Sequence, residues 1–316
     1  KRLTLSDIDK QGRDRFKGWC EALGLTVRVD AIGNMFARRE GRDPARKPVM
    51  FGSHLDSQPS GGKFDGALGV LGGLEVIRTL NEQAIETEAP LILCNWTDEE
   101  GSRFGHSLMG SGVWVGGIPL EKAYALADTE GVTVGAALEE IGYKGSAPAR
   151  PFAADAYFEL HIEQGPILEA EDKTIGIVTG AQAMAWYDLA LTGWESHAGT
   201  TPPARRKDAL VGAARVIELV DRLMREQGED GRGTVGFLQV EPNSRNVVPG
   251  RVTFSAEFRH PSDAVIDALD RRFETETRAI AAALQDGFQR HLVVAQDGRN
   301  VGNNARLVQN DKTDKV

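Results

Sequence analysis

Apolar runs followed by polar residues dominate the first half of the chain. Residues 49–51, 90–97 and 156–160 are three apolar stretches with the length of buried strands. They lead into His54, into the acidic group at 98–100 and into His161. Residues 66–77, between the first two stretches, resemble a buried helix whose glycines permit close packing. Strands that alternate with helices predict an α/β sheet, and its polar residues should gather at the carboxyl ends of the strands.

Local signals place further elements around these strands. Ser6, followed by Asp9, predicts a capped helix that stops before Gly24. Residues 25–29 and 34–38 alternate like the two strands of a hairpin. The chain begins with Lys1, and we expect that a preceding helix has been removed.

The second half of the chain follows a different order. After Gly180 the patterns alternate as strand, helix, strand, strand and helix, which predicts a separate β-α-β-β-α unit. Its predicted elements are strands at 186–193, 234–240 and 251–258 and helices at 208–225 and 262–284.

Composition limits the function classes. The chain has 316 residues, 41% of them hydrophobic, which is enough for one large and one smaller core. Its net charge of −9 argues against nucleic acid or an anionic membrane as a partner. Cys20 and Cys94 lie far apart in the sequence, and Cys94 falls in an apolar strand, which suits a reducing cytoplasm.

The residues at the strand ends are candidates for a metal site. With a period of two, the Asp56 carboxylate should face His54 and orient its imidazole, and the glycine-rich segment 61–66 should bring Asp65 back to the same edge. Of the neighbours Glu99 and Glu100, one can bind an ion while the other accepts a proton. Ordinary alternatives stay open at this point, because a strand-end histidine is often structural and paired carboxylates usually lie in solvated loops.

Four motifs together resemble the binuclear-metal amidohydrolases related to M20 peptidases. Within that group the hydantoinase/carbamoylase amidases are the most similar branch. The likeness extends from near residue 3 to about residue 290. The motifs are Gly52-Ser53-His54-Leu55-Asp56-Ser57, Thr97-Asp98-Glu99-Glu100-Gly101, Glu159-Leu160-His161-Ile162-Glu163-Gln164-Gly165 and Ser196-His197-Ala198-Gly199-Thr200.

The resemblance implies a fold and a domain organisation. We expect a metallopeptidase-like α/β catalytic domain with a mixed sheet and helices on both faces, and an inserted, smaller α+β lid domain that forms a homodimer. The expected boundaries are 1–181 for the catalytic domain, 182–295 for the lid and 296–316 for a polar tail.

The same resemblance implies an activity and metal ligands. The expected reaction is hydrolysis of N-carbamoyl-L-amino acids, with allantoate amidohydrolase or β-ureidopropionase activity as alternatives. Two divalent ions, zinc or else manganese, cobalt or nickel, would share Asp65. His54 and His161 would complete one ion site, and Glu100 with a histidine from the C-terminal end would complete the other.

Roles for the remaining residues also follow from the resemblance. Glu99 would accept a proton from the attacking water, and His197 would polarise the substrate carbonyl. Asn246 and Arg259 would bind the substrate carboxylate, for which the planar guanidinium is suited, and Gln164 would add a further substrate contact. Each lid residue also has an ordinary alternative. His197 could be a helix cap, Asn246 a turn residue and Arg259 a solvated surface charge.

The end of the chain departs from the family pattern. No histidine follows His291, and residues 296–316 are mostly polar. We therefore expect a chain truncated at its C-terminus that binds at most one ion tightly. The alternatives are a non-catalytic homologue and a site completed by a partner.

Overall fold

The structure is a computed structural model that describes the backbone of residues 1–284, 287–296 and 305–308 and the side chains of residues 1–284. The chain divides into two compact units, Lys1–Asp172 and Lys173–Val316. The predicted domain boundaries at 181/182 and 295/296 stay predictions. Among the residues described, none of the helices combines the length and the apolar character that a membrane span requires.

A five-stranded mixed sheet forms the centre of the first unit. Its strands are β1 (Thr26–Val29), β2 (Met35–Arg39), β3 (Val49–His54), β4 (Leu91–Trp96) and β5 (Ala156–Phe158). They lie in the order β1-β2-β4-β3-β5. β3 pairs in parallel with both β4 and β5, while β2 pairs antiparallel with β1 and β4. The carboxyl ends of β3, β4 and β5 therefore meet at one edge, as the sequence predicts.

Helices cover this sheet. They are α1 (Asp7–Ala22), α2 (Ala67–Glu82), α3 (Met109–Trp114), α4 (Leu120–Ala125), α5 (Val134–Glu140) and α6 (Ile167–Ala170). Ser6 caps α1 by accepting a hydrogen bond from the backbone N–H of Asp9 at 3.4 Å. At Gly73 of α2, a β-carbon would lie 2.6 Å from Leu93 and 2.7 Å from Phe51. The absence of a side chain at this position thus lets α2 pack directly on β3 and β4.

Both faces of the sheet are buried. On one face Phe16 of α1 and Val70 and Ile77 of α2 pack with Met35 and Leu93. On the other face Trp114 of α3 packs against a cluster formed by Phe36, Met50, Ile92, Cys94 and Trp96. Complete burial of each large apolar side chain stabilises the fold by about 1.5–3 kcal/mol. The predicted mixed α/β fold is confirmed.

The second unit is built on an antiparallel sheet. Its strands are β6 (Ile177–Ala181), β7 (Ala183–Thr192), β8 (Ser196–His197), β9 (Arg232–Thr234), β10 (Leu238–Glu241), β11 (Val247–Val248), β12 (Arg251–His260), β13 (Gly287–Gln296) and β14 (Ala305–Val308). The main sheet has the order β10-β12-β7-β13, and β9 also pairs with β12. β8 pairs with β11, and β6 pairs with β14.

Two long helices supply the core of the second unit. They are α7 (Ala209–Glu226), capped by the Asp208 side chain, and α8 (Asp263–Leu284), and a 3-10 turn at Pro203–Arg205 precedes α7. Leu219 and Leu223 of α7 and Phe273 of α8 pack with Phe254 and Phe258 of β12. The apolar side chains on one face of β12 alternate with partly exposed residues on the other, which is the pattern of a sheet covered on one side.

Two sequence predictions about strands differ from the structure, and one strand was not predicted. The third strand ends at Phe158, so His161 lies in the following loop. The strand predicted at 234–240 is two strands, β9 and β10. β13 was not predicted, and it pairs along β7. Most of the predicted polar tail lies outside the described residues; its described parts are Gln296 at the end of β13 and the strand β14.

Candidate metal centre

His54, Asp65 and His161 converge at the carboxyl edge of the first sheet. One ligand atom from each side chain lies within 4.8 Å of the other two. The Oδ1 atom of Asp65 is 3.1 Å from Nε2 of His161 and 3.8 Å from Nε2 of His54. Among the side chains described, this is the group of three metal-binding residue types that is close enough to hold one ion.

His54 is buried and held in one tautomer. Its Nδ1 atom lies 3.0 Å from the backbone oxygen of Asp56, and because that oxygen only accepts, Nδ1 carries the proton. Its Nε2 atom is buried and has no hydrogen-bond partner among the described residues. A buried nitrogen lone pair without a partner is unfavourable in a protein interior, and here it faces Asp65. The geometry therefore fits a metal ligand.

Two glycines and a short strand shape this side of the site. Gly66 has a φ of +63°, and a β-carbon there would lie 2.5 Å from the His54 ring. At Gly69 a β-carbon would lie 2.5 Å from the backbone oxygen of Leu160. Glycine at 66 thus leaves room for the His54 ring, and glycine at 69 lets the loop after β5 lie against the start of α2. The chain has already left the sheet there, since β5 ends at Phe158.

His161 is oriented by its own loop. Its Nδ1 atom is 2.8 Å from the backbone oxygen of Ile162, which leaves Nε2 available toward Asp65. Upstream, the Glu159 carboxylate accepts hydrogen bonds from Ser53 and Tyr157, both at 2.6 Å. Sequence reasoning missed Ser53 and Glu159, although the spacing of Tyr157 and Glu159 by two residues is a signal for side chains on one side of a strand.

Glu99 lies beside the group of three. Its Oε2 atom is 3.5 Å from Nε2 of His54, and its side chain is 16% exposed. Burial first, and then repulsion from Asp56 and Glu100, raises the pKa of Glu99 to about 8. In this environment the carboxylate is a stronger base than an exposed glutamate.

Glu100 points away from the three converging residues. Its carboxylate accepts hydrogen bonds from the backbone N–H of Gln58 at 3.2 Å and from the Gln58 side chain at 2.9 Å. The two adjacent glutamates lie in a turn between Asp98 and Gly101, whose φ angles are both positive (+51° and +64°). The structure thus brings together three of the four predicted ligands and leaves Glu100 against Gln58.

Gln164 and Asp56 make contacts that differ from those expected. The side-chain nitrogen of Gln164 donates to Oδ2 of Asp65 at 2.5 Å, so Gln164 lies on a metal-ligand candidate. The Asp56 carboxylate is 3.7 Å from Nδ1 of His54, too far for a hydrogen bond. The backbone oxygen of Asp56 accepts the hydrogen bond from Nδ1, and the expectation that the carboxylate orients the imidazole stays a prediction.

The second unit brings His197 and Asn246 together. Nδ1 of His197 accepts from the backbone N–H of Gly199 at 3.0 Å, so the proton of a neutral imidazole lies on Nε2. That Nε2 atom is 3.3 Å from the side-chain nitrogen of Asn246, and the amide oxygen reaches the same position if the amide group flips. Arg259 lies on β12, where its guanidinium contacts the Glu257 carboxylate at 2.9 Å.

Comparison with known proteins identifies the family. A model of the peptidase family M20/M25/M40 matches residues 50–307. The chain belongs to this family. An M20 relative from Rhizobium meliloti, an N-carbamoyl-L-amino-acid amidohydrolase, is 47% identical over 286 residues, which are 90% of this chain and 69% of the relative.

Further members support the same assignment. An N-carbamoyl-L-amino acid amidohydrolase from Geobacillus stearothermophilus is 37% identical and covers 89% of this chain and 69% of its own length. The crystal structure of a hydantoinase/carbamoylase amidase from Burkholderia vietnamiensis has a TM-score of 0.84 and 52% identity, and covers 93% of this chain and 71% of that one. The resemblance inferred from the four motifs is therefore confirmed.

Proposed function

We propose that this chain is a metal-dependent amidohydrolase that cleaves the ureido C–N bond of N-carbamoyl-L-amino acids to release the amino acid, carbon dioxide and ammonia. The observation that carries the proposal is the buried Nε2 atom of His54, which faces Asp65, His161 and the Glu99 carboxylate without a hydrogen-bond partner among the described residues. Its family membership and the names of its relatives support the substrate class.

His54, Asp65 and His161 form a suitable donor set for a divalent ion. Two imidazole nitrogens and a carboxylate oxygen suit zinc, manganese, cobalt or nickel. Such an ion, once bound, would polarise the substrate carbonyl and acidify a water molecule. The backbone oxygens of Asp56 and Ile162 hold the two imidazoles with Nε2 available, an arrangement that typically fixes the tautomer of metal-binding histidines.

Glu99 is the proposed proton carrier. It accepts a proton from the attacking water and returns that proton to the leaving nitrogen. Burial and neighbouring carboxylates raise the pKa of Glu99 to about 8 in the metal-free protein, so its carboxylate binds a proton more tightly than that of an exposed glutamate. Its Oε2 atom is 3.5 Å from Nε2 of His54, so Glu99 lies next to the residues that would hold the ion.

Residues of the second unit are proposed to bind the substrate. Neutral His197 has its donor at Nε2 because Gly199 occupies Nδ1, and an Nε2–H group stabilises negative charge on a carbonyl oxygen. Asn246, beside Nε2, and Arg259 are the proposed contacts for the substrate carboxylate, with Gln164 of the first unit as a further contact. The guanidinium of Arg259 now contacts Glu257, so a substrate carboxylate would have to share it or displace Glu257.

The number of tightly bound ions is proposed to be one per chain. Oδ2 of Asp65 accepts a hydrogen bond from Gln164, and Glu100 accepts one from Gln58. These two carboxylates are the only residues of this chain that the proposal assigns to a second ion. Two carboxylates without an imidazole hold such an ion more weakly than His54, Asp65 and His161 do together. We therefore propose Glu100 as a ligand of the second, weakly bound ion and not of the first.

Turnover measurements test the proposal directly. Purified protein loaded with zinc, manganese, cobalt or nickel should release ammonia from N-carbamoyl-L-methionine, and should prefer it to the D-enantiomer, to allantoate and to β-ureidopropionate. Preference for one of the last two substrates would assign the corresponding alternative activity. A protein that binds metal but releases ammonia from none of them would be a non-catalytic homologue.

The proposal also includes a homodimer formed through the second unit, and a cytoplasmic location. The free thiols of the buried Cys20 and Cys94 suit a reducing compartment. Light scattering coupled to size-exclusion chromatography tests the dimer, because a mass equal to that of one chain would exclude it.

A further inference from the structure

The side chain of Asn34 joins the end of β4 to the start of α3. Asn34 lies immediately before β2 and is completely buried, with 0% of its surface exposed. Its Oδ1 atom accepts a hydrogen bond from the backbone N–H of Thr97 at 3.0 Å, and its Nδ2 atom donates one to the backbone oxygen of Gly110 at 2.9 Å. Thr97 directly follows β4, and Gly110 is the second residue of α3. A single amide group thus bonds to both segments.

The two segments are also bonded to each other. The backbone N–H groups of residues 108–110 donate to the backbone oxygens of residues 97–99 over distances of 2.7 to 3.0 Å. The first of these pairs is Gly110 with Thr97, at 2.8 Å. Together with the two bonds of the Asn34 amide, it closes a ring of three hydrogen bonds. The backbone from which Glu99 projects is therefore fixed at its first residue by Asn34.

The Asn34 amide is itself held in one orientation. An asparagine side chain has two N–H donors, and the second one bonds to Oδ2 of Asp30 at 2.9 Å. A flipped amide would direct its N–H groups at the N–H of Thr97 and its oxygen at two other oxygen atoms, so the network allows only the observed orientation. Glycine at 110 is required beside it, because a β-carbon there would lie 2.2 Å from Oδ1 of Asn34.

We propose that Asn34 is a positioning residue for Glu99. Its amide sets the course of the chain after β4, and Glu99 lies two residues beyond Thr97. The candidate metal ligands His54, Asp65 and His161 lie on other segments, so loss of the bridge should displace Glu99 and spare the metal position. The role of Glu99 in turnover rests on the proposed function, whereas the bridge itself is tested by measurements that do not require turnover.

The Asn34→Ala variant removes the bridge. We expect hydrogen exchange of the Thr97 and Glu99 amides, measured by NMR, to accelerate by roughly ten-fold or more, since exchange reports local opening. The Kd of zinc, measured by chelator competition, should stay within about three-fold, because changes in the groups that hold metal ligands otherwise cost about 10- to 100-fold. In the active enzyme kcat should fall by roughly ten-fold or more while KM changes little, since a misplaced base affects the chemical step.

The Gly110→Ala variant disturbs the same bridge while Asn34 stays in place. Its β-carbon would lie 2.2 Å from Oδ1 of Asn34 and 2.6 Å from the backbone of Thr97, so we expect the same changes in amide exchange and kcat. Gly112→Ala is the matched control in the same helix. Its β-carbon would approach the Ile118 side chain, with Cδ1 at 2.6 Å, and the end of that flexible side chain can move. It should leave amide exchange, zinc affinity and kcat unchanged.

Three results would overturn the inference. An unprotected Thr97 amide in the wild-type protein would exclude the hydrogen bond, and unchanged kcat in folded Asn34→Ala would exclude the positioning role. Loss of zinc affinity by more than ten-fold in both variants would show that Asn34 supports the whole edge of the sheet and not Glu99. If Asn34→Ala does not fold, Gly110→Ala decides. Absent turnover in the wild type would count against the proposed function, and exchange at Thr97 and Glu99 would then decide the inference.

Discussion

The Nε2 atom of His54 and the Oε2 atom of Glu99 lie 3.5 Å apart, although the two residues follow different strands and are 45 positions apart in the sequence. Parallel pairing of β3 with β4 produces this proximity, because it aligns the carboxyl ends of the two strands. A candidate metal ligand and a candidate base thereby share one edge of the sheet, which is where open α/β sheets generally place their sites.

Glu99→Gln should retain the metal and lose turnover. The amide has nearly the shape of the carboxylate but does not accept a proton, and loss of a general base typically costs about 100- to 10,000-fold in rate. Steady-state kinetics together with elemental analysis of the purified variant measure both effects. Metal loss in Glu99→Gln, with metal retained in Glu100→Gln, would show that the two glutamates have the opposite roles.

Gly66→Ala should disturb the metal site through His54. The β-carbon would lie 2.5 Å from the imidazole ring, and the φ of +63° is unfavourable for alanine. We expect a loss of about 1–3 kcal/mol in the free energy of unfolding and a roughly ten-fold or greater loss of zinc affinity. Gly62→Ala is the matched control, because a β-carbon at Gly62 meets nothing within 4 Å. Equal behaviour of the two variants would remove the steric argument.

Metal titration should give one tight equivalent per chain. Isothermal calorimetry with zinc measures the stoichiometry, and His54→Ala and His161→Ala should each abolish tight binding. At a free zinc concentration of about 100 times Kd, binding should stabilise the wild-type fold by about 2.7 kcal/mol. His106→Ala, at an exposed histidine outside the site, should change neither quantity. Two tight equivalents would contradict the proposal of one tightly bound ion per chain.

Arg259→Ala should weaken substrate binding more than the chemical step. If the guanidinium binds the substrate carboxylate, its loss should raise KM. The fall in kcat/KM should correspond to a loss of roughly 2–5 kcal/mol in transition-state stabilisation. Arg251→Ala serves as the control, since Arg251 is an exposed arginine on the same strand. An unchanged KM for Arg259→Ala would indicate that Arg259 only forms a structural ion pair with Glu257 and does not bind the substrate.

Asp30 should make the stability of the fold depend on pH. It is 1% exposed, and burial raises its pKa to about 7, against hydrogen bonds from Asn34 and Ile32. A folded-state pKa above the unfolded value means that the folded protein holds the proton more tightly, so this contribution is largest at low pH. It is lost as pH rises from the unfolded pKa toward 7. Between pH 5.5 and pH 8 the contribution should fall by about 2 kcal/mol.

Urea unfolding of wild type and Asp30→Asn at those two pH values measures this difference. The variant has no titrating group at residue 30, so the stability difference between the two proteins should change with pH by the stated amount. The same pH dependence in both proteins would show that Asp30 does not titrate in this range.

Sequence patterns predicted the elements that local forces determine. The Ser6 cap, the hairpin and the strand that ends at His54 follow from side-chain hydrogen bonding and from apolar periodicity within a few residues. The position of His161 does not, because the chain leaves the sheet after Phe158 and its loop then lies against α2, where Gly69 leaves room for the backbone of Leu160. That contact depends on a helix about 90 residues earlier in the sequence.

The contacts of Gln58 with Glu100 and of Gln164 with Asp65 could not be predicted from the sequence either. They join loops whose relative positions are set only once β3, β4 and β5 have paired. The residue types at the site could therefore be predicted, whereas the partner of each carboxylate could not.

The short pairing of β5 has a consequence for local stability. β5 is the last strand at one side of the described sheet, and it pairs with β3 through Val49–Phe51 and Ala156–Phe158 only. A terminal strand with so few ladder bonds opens more readily than the strands inside the sheet. Each opening would carry His161 away from Asp65 while His54 stays buried in the core. Fraying at a single edge, well short of global unfolding, is therefore enough to release one of the three proposed ligands.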